Sequence, residues 1–456
     1  MARLDDTPAQ GRLLSILGLG FGLAGAVGGT IGAGILRTPG LVAAQLPSAP
    51  LVLTAWLAGG LYALLGAVCV AELATSLPRS GGWYVYAERA FGGRAGFLVG
   101  WTDWLAHCIG LAWVATTAGD YGRALLPQPL ASWPLTGQLL ALLMLALFTV
   151  VQLRGLRAGS ASQELLSLLK AGVLLALVVA CFLLPVPHPL AAPPPLGMAT
   201  GNASGLAGLV LASVLALQAV ITTYDGWVSP VYFAEEFSQP QRDLPRSLIG
   251  GVLVVLVLYL LINAALLRVL PIEVLARSPL PAADAASLLV GPAGGLVITL
   301  VALVAMLGLI NTVVMAAPRI LYGLGRDGLL PAFTTAVNGG GTPTAALGLT
   351  AATAAALVLV GSFDRLLTMG SILYVSLPLS GIAALLMLRQ REPQLERPFP
   401  AWGYPLTPLL VAGVSLAFLV GTAASAPLSM AAAVSLVALG LLPSLQAFPG
   451  PQRPAG

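Results

Sequence analysis

The sequence predicts an all-α polytopic membrane protein with about twelve transmembrane helices. Of the 456 residues, 58% are hydrophobic and only 8% are charged, and the mean hydropathy is +0.93. A soluble domain carries ~25% charged residues. The apolar residues form many runs of about 20, the length that crosses a ~30 Å hydrocarbon core. The arginines collect on one side of these runs, as expected for loops that remain in the cytoplasm.

The predicted spans follow the apolar runs in chain order. They cover residues 13–46, 50–77, 94–124, 137–153, 161–184, 206–237, 247–270, 287–325, 344–361, 366–388, 405–423 and 427–443. With both termini cytoplasmic, fifteen arginines fall on the inner side and four on the outer side, which fits the positive-inside rule. We therefore expect a multi-pass protein of the cell (inner) membrane. The net charge of +4 reflects topology and does not indicate binding to nucleic acid.

Two predicted spans contain a break. In the first span, the stretch GGTIGAG at residues 28–34 holds four glycines, each of which costs about 1 kcal/mol relative to alanine in a helix. In the sixth span, YDGWVSP at residues 224–230 ends in a proline that has no backbone donor. Irregular backbone at membrane depth is tolerated only where protein buries it or where it lines a cavity. Interrupted spans at corresponding positions of two halves indicate a transporter site.

The positions of the breaks predict two five-helix units of opposite membrane topology. The first unit covers residues 13–184 and the second 206–388, followed by two additional helices at 405–443. Residues 1–12 and 444–456 are predicted to be cytoplasmic tails. The proline-rich stretch 185–205 is predicted to be an outer loop.

Lys170 is the only lysine of the chain and lies about ten residues inside the fifth span. A buried lysine can lose its proton, whereas an arginine cannot, so a coupling role is the favoured interpretation. The alternative is a lysine whose ammonium reaches the membrane surface.

Other polar residues inside predicted spans leave more than one interpretation open. Asp225 could bind a substrate ammonium, carry a proton, or form a structural pair with Arg37 or another cation. Asp103 and His107 lie one helical turn apart and could form a proton relay or a satisfied packing pair. Asn311 could face the bundle near the gate, or simply form an interhelical hydrogen bond.

The sequence gives no indication of an enzyme, a metal site or a cofactor. Cys69, Cys108 and Cys181 all fall in apolar spans, which favours packing over a disulfide or a zinc site. Paired catalytic groups are not apparent, and neither is a soluble nucleic-acid-binding domain.

Four stretches in this order resemble the amino acid–polyamine–organocation (APC) superfamily, closest to its L-type-like amino acid permeases. They are GGTIGAGIL (28–36), AELATSLPRSGGWYVYAERAFG (71–92), YDGWVSPVYFAEEFSQPQRDLPRS (224–247) and PRILYGLGRDGLLP (318–331). The resemblance implies a LeuT-type fold of two inverted five-helix repeats, with alternating access around an amino acid held between the first and sixth spans. It also matches Lys170 to a fifth-span lysine that contacts the first break and stands in for a sodium ion.

Two positions depart from the pattern of these permeases. Asp225 stands where L-type-like members commonly have glycine, and Thr222 where many carry an aromatic gate. The gate is therefore assigned to Tyr224, Trp227 or another ring.

The predicted substrate site combines both breaks. Backbone N–H groups near Ile31–Gly34 can bind a carboxylate, and carbonyls freed in the breaks can hold an ammonium. The substrate-binding residues are predicted to be Thr30, Ile31, Gly32, Ala33, Gly34, Thr222, Thr223, Tyr224, Asp225 and Gly226. An inner charge network near the gate is predicted from Glu235, Glu236, Arg242, Asp243, Arg246, Arg326 and Asp327.

These features predict a secondary active amino acid transporter that works by alternating access. Proton-coupled symport of neutral amino acids is favoured, and sodium-independent exchange is the nearest alternative. A membrane nutrient sensor built on a transporter fold is an alternative of another class, less favoured because both tails are short. The expected partners are an amino acid, a proton and the lipid bilayer, and the oligomeric state stays open.

Overall fold

The computed structural model describes residues 13–32, 34–186, 206–360, 363–425 and 427–447. The predicted tail 1–12, most of the predicted outer loop 185–205 and most of the tail 444–456 lie outside the described residues, as does Ala33 of the predicted site.

The described part of the chain is largely helical and contains no strand. The first half holds α1 (Leu19–Thr30), α2 (Gly34–Gln45), α3 (Ala49–Ser76), α4 (Trp83–Phe91), α5 (Gly93–Ala124), α6 (Gln128–Ala131), α7 (Thr136–Leu153) and α8 (Leu156–Leu183). The second half holds α9 (Leu206–Tyr224), α10 (Pro240–Val269), α11 (Ile272–Leu275), α12 (Pro281–Val290), α13 (Pro292–Arg326), α14 (Thr344–Val360), α15 (Phe363–Arg391), α16 (Leu406–Ser425) and α17 (Pro427–Ala447). Short 3₁₀ segments cover Ser229–Glu236 and Ala332–Thr335.

The predicted class, an all-α polytopic membrane protein, is confirmed. Among the described residues, nine helices are long and apolar enough to cross a membrane, and ten if the bent pair α1 and α2 forms one span. Each of the twelve predicted spans corresponds to a helix or a helix pair. That all twelve cross the bilayer, and that they form an inverted repeat, stay predictions.

Several helix ends differ from the predicted ones. The polar stretch before the seventh span is helical from Pro240 rather than 247, because proline fits the first turn of a helix. The eighth span begins at Pro292 rather than 287, since Gly291 adopts φ +78° between α12 and α13. The fifth span begins at Leu156 rather than 161, directly after Gly155. The last helix continues to Ala447 rather than 443, because residues 444–447 contain no proline or glycine.

Helix α1 lies inside the bundle, where it packs against α8, α10 and α13. Its buried face consists largely of glycine and alanine. A methyl group added to Gly251 of α10 would collide with Ala26. Small residues thus let the backbones approach closely, as is usual for helices that pack in membranes.

A buried ion pair connects the end of the second break to α13. Glu236 accepts two hydrogen bonds from Arg319, at 2.5 Å from Nε and 2.9 Å from Nη2, and both side chains are almost fully buried. The guanidinium also lies 4.4 Å from the centroid of the Phe233 ring. The Glu236 carbonyl accepts from the Leu17 N–H at 2.8 Å, just before α1 begins. This pair therefore joins three parts of the chain that are distant in sequence.

We expect Glu236→Gln to lower the free energy of unfolding by about 3–5 kcal/mol, because the Arg319 guanidinium would remain buried without its counter-charge. The neighbouring Glu235→Gln serves as a matched control. Glu235 pairs with Arg326 at 2.6 Å, but both side chains are 26% exposed, so its loss should cost about 1 kcal/mol or less. Thermal unfolding in detergent measures both variants, and equal melting temperatures would contradict the prediction.

Candidate functional site

The first break separates α1 from α2. Helix α1 ends at Thr30, and Ile31 follows with an extended backbone, φ −74° and ψ 97°. Helix α2 begins at Gly34, with its axis bent by 44° from that of α1. The Ile31 N–H still donates to the Val27 carbonyl at 2.9 Å, so this amide is not free for a ligand.

The second break lies between Tyr224 and Ser229. Gly226 adopts φ +108°, a conformation that favours glycine because it has no Cβ. The Ser229 hydroxyl donates to the Gly226 carbonyl at 2.6 Å. This bond closes the turn that leads from α9 into the 3₁₀ segment.

The two breaks lie against each other. A Cβ added to Gly29 would lie 2.6 Å from the carbonyl oxygen of Gly226. The Tyr259 hydroxyl of α10 donates to the Thr30 carbonyl at 3.0 Å and lies 3.4 Å from the Thr223 carbonyl. The Tyr259 hydroxyl thereby links the end of α1 to the end of α9.

A cavity of about 180 Å³ opens where the breaks meet. It is bordered by these residues of the predicted site: Thr30, Gly32, Gly34, Thr222, Thr223, Tyr224, Asp225, Gly226, Trp227 and His107. Ile31 does not border it, and its side chain is fully buried. Sequence analysis missed five aromatic residues of its wall, Tyr62, Trp83, Trp113, Tyr232 and Tyr374. They lie on four α-helices and the 3₁₀ segment. Trp83 and Tyr232 stand within stretches 71–92 and 224–247, which could have indicated them, whereas no motif marks the other three.

Lys170 of α8 binds the end of α1. Its Nζ donates to the Gly28 carbonyl at 2.5 Å and to the Ile31 carbonyl at 2.9 Å. The side chain is fully buried, so the ammonium does not reach the membrane surface. Both acceptors belong to the break, because the extended backbone after Thr30 ends the helical bonding of α1.

A row of polar side chains continues along the same face of α8. The Ser167 hydroxyl donates to the Ala24 carbonyl of α1 at 2.8 Å, and Gln163 donates to Ser167 at 3.1 Å. Asn311 of α13 donates to Gln163 at 2.9 Å and accepts from Gln152 at 2.8 Å. Asn311 is therefore an interhelical hydrogen-bonding residue that does not border the cavity.

Asp225 borders the cavity from the second break. The described residues form no ion pair between it and Arg37, whose side chain is exposed. The structural pair considered from sequence is thus not formed, and the carboxylate faces the cavity instead.

Asp103 and His107 of α5 are in contact. The imidazole Nδ1 lies 2.8 Å from the Asp103 carbonyl and 3.1 Å from its carboxylate Oδ1. The Tyr232 hydroxyl donates to the same Oδ1 at 3.0 Å. His107 borders the cavity, whereas Asp103 is fully buried behind it.

The two gate candidates are both largely buried. The Tyr224 ring packs against Trp56 and Tyr259, with centroids 6.0 and 5.0 Å apart, and its hydroxyl donates to the Trp56 carbonyl at 3.2 Å. Trp227 lies against Gly66 of α3. Both rings border the cavity on the side of α3.

Part of the predicted inner charge network is present near the ends of α3 and α13. Glu235 pairs with Arg326 at 2.6 Å, and Asp327 pairs with Arg79. Burial and the neighbouring Asp327 carboxylate raise the pKa of Glu88 above its ordinary value. Glu236 does not join this cluster, because its partner is Arg319. Arg242 bonds only to Gln239 among the described residues, at 3.4 Å.

The chain matches the amino acid permease family over residues 13–441. It is 27% identical to the serine/threonine exchanger SteT of Bacillus subtilis over 405 residues, which are 86% of this chain and 88% of that protein. It is 29% identical to the b(0,+)-type amino acid transporter 1 of Mus musculus, covering 90% of this chain and 83% of the relative. It is 30% identical to the Asc-type amino acid transporter 1 of Mus musculus, covering 82% and 70%.

We expect Gly29→Ala to lower the free energy of unfolding by about 1–3 kcal/mol, because the new methyl group would force the two breaks apart. Gly20→Ala is the matched control on the same helix, since nothing lies within 4 Å of its added Cβ. Thermal unfolding of both variants tests this. A Gly29→Ala variant as stable as Gly20→Ala would show that the breaks do not touch.

Proposed function

The chain belongs to the amino acid permease family, and on that basis we propose that it is a secondary active amino acid transporter that binds its substrate between the two breaks. Its family and its relatives are transporters rather than enzymes. The observation that carries the proposal is the contact of two broken helices at a cavity. In a regular helix the backbone N–H and C=O groups bind each other, whereas a break leaves some of them free to bind a substrate.

The proposed mode of binding uses backbone on one side and side chains on the other. Gly32 and Gly34 border the cavity and can bring backbone N–H groups to the substrate carboxylate without a side chain in the way. Carbonyl oxygens of the breaks hold the ammonium. Ile31 takes no direct part in this scheme, because its N–H and its carbonyl are bonded to Val27 and Lys170.

Lys170 is the proposed coupling residue. Its ammonium satisfies two carbonyls of the first break, and the loss of its proton would weaken that contact and release the end of α1. Alternating access requires the breaks to rearrange around the substrate. Proton-coupled symport of neutral amino acids is the mode that this arrangement supports, with Trp227 or Tyr224 as gate and both termini cytoplasmic in a cell inner membrane.

Exchange without proton coupling is the second candidate, because one of the relatives is named a serine/threonine exchanger. The same name favours uncharged substrates. Asp103 and His107 are retained as candidates for a proton relay, since they lie hydrogen-bonded at the cavity wall. Asn311 stays a candidate with less support, because it lies outside the cavity wall.

Uptake of a panel of amino acids into proteoliposomes, with and without an inward pH gradient, tests the proposal. A gradient that accelerates uptake supports symport, whereas uptake that needs amino acid inside the vesicle supports exchange. We expect Lys170→Ala to abolish coupled uptake, because the carbonyls of Gly28 and Ile31 lose their donor. Glu164→Gln is the matched control, since Glu164 is an exposed ionisable residue on the same helix. Normal pH-dependent transport by Lys170→Ala would refute the coupling role.

We expect Asp225→Asn to weaken substrate binding by about tenfold or more, because a hydrogen bond to a charged group contributes ~1.5–3 kcal/mol. Binding is measured by substrate-dependent thermal stabilisation and proton movement by an internal pH dye. Weakened binding with protons still carried assigns Asp225 to the substrate, and the reverse assigns it to the proton. An Asn variant unchanged in both measurements would contradict a functional role.

A further inference from the structure

The wall of the cavity contains a histidine, His107, whose ring is held by contacts with the buried residue Asp103. His107 borders the cavity and is 6% exposed. Its Nδ1 faces two oxygens of Asp103, the backbone carbonyl and the carboxylate. The rings of Tyr232 and Tyr374 flank the imidazole, with centroids 4.9 and 5.6 Å away. The imidazole therefore has little freedom to turn.

This contact determines which hydrogen bond the ring can offer to a ligand. A backbone carbonyl and a carboxylate both accept, so Nδ1 must carry the hydrogen. A neutral imidazole has a single N–H, which leaves Nε2 with a lone pair. Within the described part of the chain, no group donates to Nε2. In its neutral form, His107 thus presents a hydrogen-bond acceptor at the cavity.

Four hydroxyl groups of the wall have their hydrogens directed at protein carbonyls. The hydroxyl hydrogens of Thr222, Thr223, Ser229 and Thr312 are directed at protein carbonyls, at 2.9, 2.8, 2.6 and 2.9 Å. Asp225 adds a carboxylate, which only accepts when ionised. Asp225 and the neutral form of His107 therefore offer acceptors to a ligand that donates hydrogen bonds, and these four hydroxyls do not compete as donors.

We propose that His107, oriented by Asp103, selects amino acids whose side chain donates a hydrogen bond, such as the hydroxyl of serine and threonine or the carboxamide of asparagine and glutamine. This inference rests on the proposed function and deepens it. His107 is the specificity-determining residue, and Asp103 is a positioning residue. A site built to pair with a polar group rejects an apolar substrate of the same shape, because its own buried group is then left without a partner.

Threonine and valine test this inference because they have nearly the same shape and differ by a hydroxyl in place of a methyl group. We expect the wild-type protein in proteoliposomes to take up threonine about tenfold faster than valine at equal low concentration. His107→Phe keeps an aromatic ring but removes the acceptor, and should reduce the ratio to about twofold or less. His107→Gln should restore part of it, because an amide oxygen can accept.

Two further variants separate selection from general damage. Trp104→Phe removes a buried hydrogen bond of α5 to Thr350, at 3.0 Å, away from the cavity, and should leave the ratio unchanged. Asp103→Leu removes the side-chain oxygen that faces Nδ1 and binds the Tyr232 hydroxyl, so the ring is oriented less strictly and the ratio should fall threefold or more. It also provides a test where His107→Phe does not fold.

Equal uptake of threonine and valine by the wild-type protein would overturn the inference, as would an unchanged ratio in His107→Phe or in Asp103→Leu. These outcomes leave the proposed function intact, because amino acids are still transported. The absence of uptake for every amino acid would overturn the proposed function and this inference with it.

Discussion

The carbonyl oxygens at the end of α1 set the main constraint on this structure. The end of a helix leaves carbonyls without intrahelical partners, and inside a bilayer there is no water to bind them. Here Lys170 of α8 binds the carbonyls of Gly28 and Ile31, and Tyr259 of α10 binds that of Thr30. The first break can exist at membrane depth because two neighbouring helices supply these donors.

The other features of the site follow from this constraint. The donors must reach the α1 backbone, so α8 and α10 have to pack closely on it, and the glycine-rich face of α1 permits that approach. The second break contacts the first through Gly226 and Gly29, where any side chain would intrude. The two breaks form one part of the cavity wall. Aromatic rings from α3, α4, α5 and α15 form another part of it.

Polar groups within the bundle fall into two sets with different partners. Lys170, Ser167, Gln163 and Asn311 form one hydrogen-bonded row between α8, α1 and α13. Asp103, His107 and Tyr232 form the other set, against the cavity. The first set holds the helix break in place. The second set lies at the cavity wall or directly behind it. This division separates the proposed coupling residue from the proposed specificity residue.

The sequence by itself determined the fold class, the positions of both breaks and the buried position of Lys170, because these depend on local composition: apolar length, clustered glycines, and one lysine deep in an apolar run. Only the tertiary structure decided which polar groups meet. Asn311 belongs to the row with Gln163 rather than to the cavity, Glu236 pairs with Arg319 rather than with the loop charges, and Asp225 faces the cavity rather than Arg37. The pairings of Asn311 and Glu236 join residues more than 80 positions apart in sequence. They depend on how whole helices rotate and pack, and a pattern along one helix does not specify this.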